Sequence, residues 1–155
     1  MTTKPGNVRL ARQDEGDAIY DLLMGLHEEN GQAPLDPIKT RVEIENMLDP
    51  ATGVIGVIDG ADGLEGAVGM ILTSWWYTSK PHLSEVFNYV RPDHRRSTHA
   101  RNLIEFAKWC GEDLGVRLYM GIVTTERTEA KERLYRRRLT HIGGYFMHDP
   151  TPAKD

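Results

Sequence analysis

Between Val90 and Ala100 the chain reads VRPDHRRSTHA, and this turn concentrates residues able to hold an anion. Arg95 and Arg96 bring two fixed charges, and Ser97 and Thr98 bring two hydroxyls. Upstream, Val86 to Val90 alternates as a strand that Pro92 stops. Downstream, Ala100, Leu103, Ile104 and Ala107 begin a helical repeat. A strand, a short turn and a helix start aim several backbone N–H groups and the positive end of a helix dipole at one point. A phosphate would be well held there. Thr98 sets two alternatives. Either the turn keeps φ negative and the hydroxyl contributes a donor, or a β-branched residue stands where positive φ is needed and the site is weakened.

Other chemistry-bearing residues point less clearly. His94 and His99 are five apart across a turn and have no cysteine partner, so no metal site is expected, and His94 reads as a turn residue. Cys110 lies beside Trp109 on an apolar helix face and reads as core. Ser97 lies outside any G-x-S-x-G setting, which argues against a nucleophilic serine. Trp75, Trp76 and Tyr77 could line an acceptor pocket, form a homodimer contact or fold back on the core.

These residues need a scaffold. The 155 residues are expected to form one domain, with a core from about residue 8 to 147 and a loose C-terminal tail. A net charge of −4 gives no bulk attraction to nucleic acid or anionic membrane. The single cysteine excludes an intramolecular disulfide framework and suits a reducing compartment. No apolar run is long enough to span a bilayer, and MTTKPGNVR lacks the apolar centre of a signal peptide, so a cytoplasmic protein is expected.

Val8 to Arg12 reads as a strand. Asp14 follows as an N-cap for a helix carrying Ile19, Leu22, Leu23 and Leu26 on one stripe. Asp36-Pro37 starts a second helix that runs to about Leu48. Val54 to Ile58 and Ala67 to Thr73 form a hairpin around DGADG. After the strand and turn above, a helix lasts to about Leu114, with Gly115 just beyond it. Val116 to Ile122 alternates as a strand, Glu126 to about Leu139 is helical, and Ile142 to Met147 is a last strand. The order β-α-α-β-β-β-α-β-α-β is a mixed α+β domain. Its sheet is expected to be mostly antiparallel with one parallel β-α-β crossover between flanking helices.

The spacing Val90-x-Pro-x-x-Arg95-x-x-Thr98-x-Ala100 resembles the acyl-CoA pyrophosphate loop of the GNAT N-acetyltransferases, written Arg/Gln-x-x-Gly-x-Gly/Ala. Thr98 takes the place of the central glycine. Thr128-Glu-Ala-Lys-Glu-Arg-Leu-Tyr135 resembles the second signature, Asn-x-x-Ala-x-x-Leu-Tyr. Here Thr128 replaces Asn, and Ala130 is displaced by one position. The element order is that of the GNAT fold, and the chain resembles small stand-alone members from bacteria and their phages.

The resemblance implies acetyl-CoA as co-substrate and a small-molecule or protein amine as acceptor. Tyr89, Val90, Arg95, Arg96, Ser97, Thr98, His99, Ala100 and Thr128 would meet the cofactor, with a backbone N–H near Tyr89 or Val90 facing the oxyanion. Tyr135 would be the general acid for the departing sulfur. Glu85, at the start of the strand leading to the turn, is the candidate base. Strand parity leaves Asn88 or an ordered water as substitutes, since Ser84 and Glu85 point to opposite faces. The loops from Glu29 to Leu35 and from Ser74 to His82 should shape the acceptor site. Two rivals stand beside this reading. One is a degenerate domain that binds CoA or a partner without catalysis. The other is a nucleic-acid module using the basic helix 131–138, although Glu126, Glu129 and Glu132 alternate with its bases as on a solvated face.

Overall fold

The structure, a computed structural model, describes residues 1–124 and 127–151. A five-stranded sheet runs β1 (Arg9–Leu10), β2 (Gly53–Gly60), β3 (Gly63–Thr73), β4 (His82–Val90), β5 (Arg117–Tyr119) in chain order. The first four strands are antiparallel neighbours, and β5 lies parallel to β4. Helices α1 (Gly16–Asn30) and α2 (Pro37–Leu48) cover one face, α3 (His99–Leu114) covers the other, and α4 (Thr128–Arg138) follows β5. This is the α+β architecture expected from the sequence.

Side-chain alternation on the central strands divides the interior in two. Ile55, Val57 and Ala67 pack with Ile19, Leu22, Ile44 and Met47 beneath α1 and α2. Ile58, Val68 and Met70 pack with Leu103, Phe106 and Ala107 of α3 on the opposite face. Cys110 belongs to this second cluster, where burial pushes its thiol up to about 12, as suits a core residue. No helix among the described residues is long and apolar enough to cross a membrane.

The cap at Asp36 forms as expected. Its Oδ1 accepts the Lys39 amide at 3.0 Å, and Pro37 takes the first helical position. Asp14 does not cap α1. A short 3-10 turn, Gln13–Glu15, precedes that helix, and Glu15 accepts the Arg12 amide at 2.6 Å. Glu15 is drawn inward because Arg9 meets it at 2.6 Å while also holding Asp59 at 2.7 Å.

Hydrogen bonds from Arg9 hold both carboxylates below their ordinary range. Replacing Arg9 with Met should therefore cost about 1–3 kcal/mol, because Glu15 stays buried with only Arg12 left to meet it. Lowered folded values mean that this stabilisation is complete above the unfolded carboxylate pKa of about 4 and is lost as pH falls through them. Urea melts of both proteins at neutral and acid pH check this. A gap between them that does not narrow in acid would assign the loss to the arginine stem instead of its charge.

Several strands differ from expectation. β1 is only two residues long, and β4 begins at His82, so Glu85 lies inside that strand and not at its start. β5 is only three residues long, shorter than Val116 to Ile122. The segment Ile142 to Met147 forms no strand, and its Tyr145 and Phe146 are 85% and 98% exposed. Alternation marks a β-prone segment, but a strand exists only where a neighbour supplies the ladder, and no described strand pairs here. The fourth helix begins at Thr128 after Arg127, whose φ of 55° is left-handed. Glu126, the expected start of that helix, and the end of the tail lie outside the described residues.

Candidate active site

The centre of the site is set by a bulge. Phe87 pairs with Gly69 but Glu85 pairs with Met70, so Val86 is an extra residue in β4. Leu83 consequently faces α3, whereas Phe87 and Tyr89 face α1 and α2. Strict alternation would put Glu85 and Asn88 on opposite faces. With the bulge both reach the same phenol: Tyr135 Oη donates to Glu85 Oε2 at 2.9 Å, and Asn88 Nδ2 donates to Tyr135 Oη at 3.0 Å. The expected acid and the expected base are thus brought together from elements fifty residues apart.

Electrostatics sharpen the pair. Desolvation raises the Glu85 carboxyl to about 7, against the opposing effects of the Tyr135 hydrogen bond, the Gly121 backbone amide and the Lys131 charge. Tyr135 is pushed well above its ordinary value, first by burial and then by the Glu85 charge. Near neutral pH the arrangement therefore offers a carboxylate close to its titration point beside a phenol that keeps its proton. Those are the properties of a general base and a general acid.

β4 and β5 pair through His82↔Arg117, Leu83↔Leu118 and Ser84↔Tyr119 and then part. From Glu85 to Val90 no described strand lies beside the outer edge of β4, and Glu85 and Tyr135 meet where this gap begins. Tyr89 and Val90 bring their backbone to this edge, while their side chains are buried in opposite core clusters.

At the far end of the gap is the expected anion turn. Thr98 has φ −88° and precedes α3, so no positive φ is required of it; its Oγ1 accepts from Asn102 Nδ2 at 3.1 Å. Ser97 Oγ donates to His94 O and accepts the His99 amide at 3.2 Å. Among the described residues, no protein acceptor meets the amides of Ala100 and Arg101 in the first turn of α3. Arg96 is exposed and makes no described ion pair, so its charge is available to a ligand.

Some expected ligands are engaged elsewhere. Arg95 turns away from the helix start: its guanidinium meets Glu29 at 2.7 Å and its Nε donates to Val90 O at 3.0 Å. A part-buried carboxylate at the end of α1 outcompetes solvent for it, a contact that motif spacing could not reveal. Thr128 Oγ1 donates to Thr124 O at 3.3 Å at the start of α4. His99 Nε2 lies 3.2 Å from Glu65 Oε2. Trp75 packs on His82 and Tyr119, with ring centroids 5.0 and 5.1 Å away, yet stays 43% exposed, and Trp76 and Tyr77 are more exposed still. Asn88, weighed earlier only as a substitute base, is a direct partner of Tyr135. The bulge that puts it there left no mark in the residue pattern.

No family model matches the chain, and no curated protein sequence does. Solved structures do. A ribosomal-protein-alanine N-acetyltransferase from Brucella melitensis biovar Abortus 2308 superposes with a TM-score of 0.66 at 16% identity, over 92% of this chain and 97% of the other. A possible acetyltransferase from Clostridium difficile 630 gives 0.68 at 22% identity, over 95% and 97%. An aminoglycoside acetyltransferase from an uncultured soil metagenomic sample, in complex with trehalose, gives 0.68 at 12% identity, over 95% of both chains. At these identities the likeness is one of fold.

Proposed function

We propose that this chain, which has the fold of the GNAT acetyltransferases, moves an acetyl group from acetyl-CoA directly to a primary amine. The observation that carries the reading is the Glu85–Tyr135–Asn88 constellation at the point where β4 and β5 part. The ribosomal-protein and aminoglycoside enzymes among the structural neighbours support an amine as the class of acceptor.

In this reading the pyrophosphate lies at the start of α3, against its first-turn amides and Arg96, and the thioester arm follows the unpaired edge of β4. An alkylamine has a pKa of about 10.4, so the productive acceptor is its neutral form. Once nitrogen attacks the thioester carbonyl, the new N–H becomes acidic and Glu85 takes its proton. The carbonyl oxygen, now an oxyanion, is met by a backbone N–H near Tyr89 or Val90. Tyr135 gives its proton to the departing sulfur, and protonated Glu85, already within hydrogen-bond distance, returns one to the phenolate. The balance is one amide formed, one thioester broken and one thiol released.

The direct test is a thermal melt with acetyl-CoA. Ligand at a hundredfold over Kd adds about 2.7 kcal/mol, which is about 5–10 °C in Tm for a chain of this length. Double-stranded DNA at low salt should add little. A salt-sensitive DNA shift with none from acetyl-CoA would favour the basic helix as a nucleic-acid surface. A screen of amine acceptors, read as free thiol, then identifies the substrate. Stabilisation by acetyl-CoA with no thiol released to any amine would leave a domain that binds the cofactor without turnover.

A further inference from the structure

On sequence alone, His94 and His99 lack a third ligand, and folding supplies one from a different element. In the β2–β3 hairpin Ile58 pairs with Gly66 but Asp59 pairs with Leu64, leaving Glu65 as an extra residue. This second bulge puts Leu64 on the α1 side with Ala67 and releases Glu65 from the parity that would have sent it there. Gly60 makes room for it, since a Cβ at that position would collide with the Glu65 side chain. Glu65 Oε1 lies 3.1 Å from His94 Nδ1, and Oε2 lies 3.2 Å from His99 Nε2. The two imidazoles are nearly parallel, 19° apart. Ligand atoms of all three residues fall within 4.8 Å of one another, and none of the three side chains is fully exposed.

We propose that Glu65, His94 and His99 bind a divalent transition-metal ion, with zinc as the natural occupant. Two imidazoles and one carboxylate make a recognised zinc set that leaves a fourth position for water. Zinc bonds of about 2.0–2.1 Å to nitrogen and oxygen put tetrahedral ligand atoms about 3.3 Å apart. The carboxylate already stands near that distance from both rings. The remaining approach, ring to ring, falls to His94, whose side chain is 41% exposed on the short turn Pro92–His94. Among the described residues, His99 makes no polar contact through its buried Nδ1, so Glu65 is the one polar partner of its ring. Coordination replaces two N–H···O contacts with three metal bonds and uses the neutral imidazoles as donors. With no thiolate in the set, the site suits imidazole-favouring ions such as zinc, cobalt or nickel. The ion would tie β3 to the turn and to the first residue of α3. None of this rests on the acetyl-transfer reading.

The test uses cobalt(II) as the probe on the full chain after chelator treatment. Tetrahedral cobalt absorbs strongly in the visible. Titration should saturate at one ion per chain with a Kd of about micromolar or tighter, and zinc should bleach the band. Glu65→Gln and His99→Ala should each weaken binding by at least about a hundredfold, beyond what losing an outer-sphere partner costs. His94→Gln, on its partly exposed turn, keeps the result readable if a buried variant fails to fold, and circular dichroism reports that directly. His141→Ala and His148→Ala, in the exposed C-terminal segment, should leave the titration unchanged. A pale octahedral spectrum, uptake unaffected by His94→Gln, or uptake abolished by the C-terminal variants would overturn the site. The cluster would then be no more than a carboxylate accepting two imidazole N–H groups.

Discussion

Tyr135→Phe should lower turnover by about 10²-fold while changing cofactor affinity no more than severalfold. The change removes one hydroxyl and keeps the ring. Because the proton is needed only as the carbon–sulfur bond breaks, the loss should fall mainly on kcat, with KM moved only by weaker docking of α4. The hydroxyl also accepts from Asn88 and donates to Glu85. A merely structural role would therefore show as a lower Tm with unaltered kcat. Single-turnover measurement of thiol release, alongside a melt with saturating acetyl-CoA, separates the two. Equal turnover in the variant would remove Tyr135 from the chemistry and leave water or another side chain as the acid.

Glu85→Gln should move activity and stability in opposite directions. In wild type, kcat should rise with pH and level off above about 7, following ionisation of the desolvated carboxyl. The variant should lose about 10²–10⁴-fold and lose that inflection. Stability follows from the same raised value. An unfolded glutamate titrates near 4.3. Between that pH and about 7 the folded chain holds a proton that the unfolded chain has released. Wild-type stability therefore falls as pH rises across this window and stays reduced above it. Gln carries no such penalty, so the variant should melt higher than wild type at pH 8 and gain little at pH 4. A surviving inflection near 7, or a variant less stable at pH 8, would show that another group is the base or that the carboxylate is not desolvated.

What could be read from the residues was whatever depends on local periodicity and capping. The two-residue and 3.6-residue patterns placed nine of the elements in order, and Pro37, Gly115 and Pro92 marked boundaries where the structure has them. Tyr135 and Glu85 were candidates by resemblance and by position. What stayed hidden was decided by contacts distant in sequence. Whether Glu85 and Asn88 share a face depends on one unpaired residue in β4, and nothing in VFNYV announces a bulge. Arg95 carries the same motif position whether it meets a ligand or Glu29, and only the packing of α1 decides. Glu65 was invisible as a ligand because its partners stand about thirty residues away. Ile142 to Met147 shows the converse, an alternating segment for which no described strand supplies a ladder.

The way α4 is held has a consequence for how the site is populated. This helix fully buries none of its residues. Arg127 leads into it with left-handed backbone, and it is held by polar contacts: Tyr135 to Glu85 and Asn88, and Arg138 to Glu105 at 3.4 Å. Hydrogen bonds of this kind contribute about 1 kcal/mol each, so docking of α4 is an equilibrium whose constant a single substitution can shift severalfold. A ligand that needs Tyr135 in place binds with an affinity scaled by the docked fraction, and on binding it draws that fraction toward one. Glu85 and Asn88 thus set an occupancy as well as a proton's path. Amide exchange along Thr128–Arg138, slowed by acetyl-CoA and quickened by Asn88→Ala, would measure that occupancy.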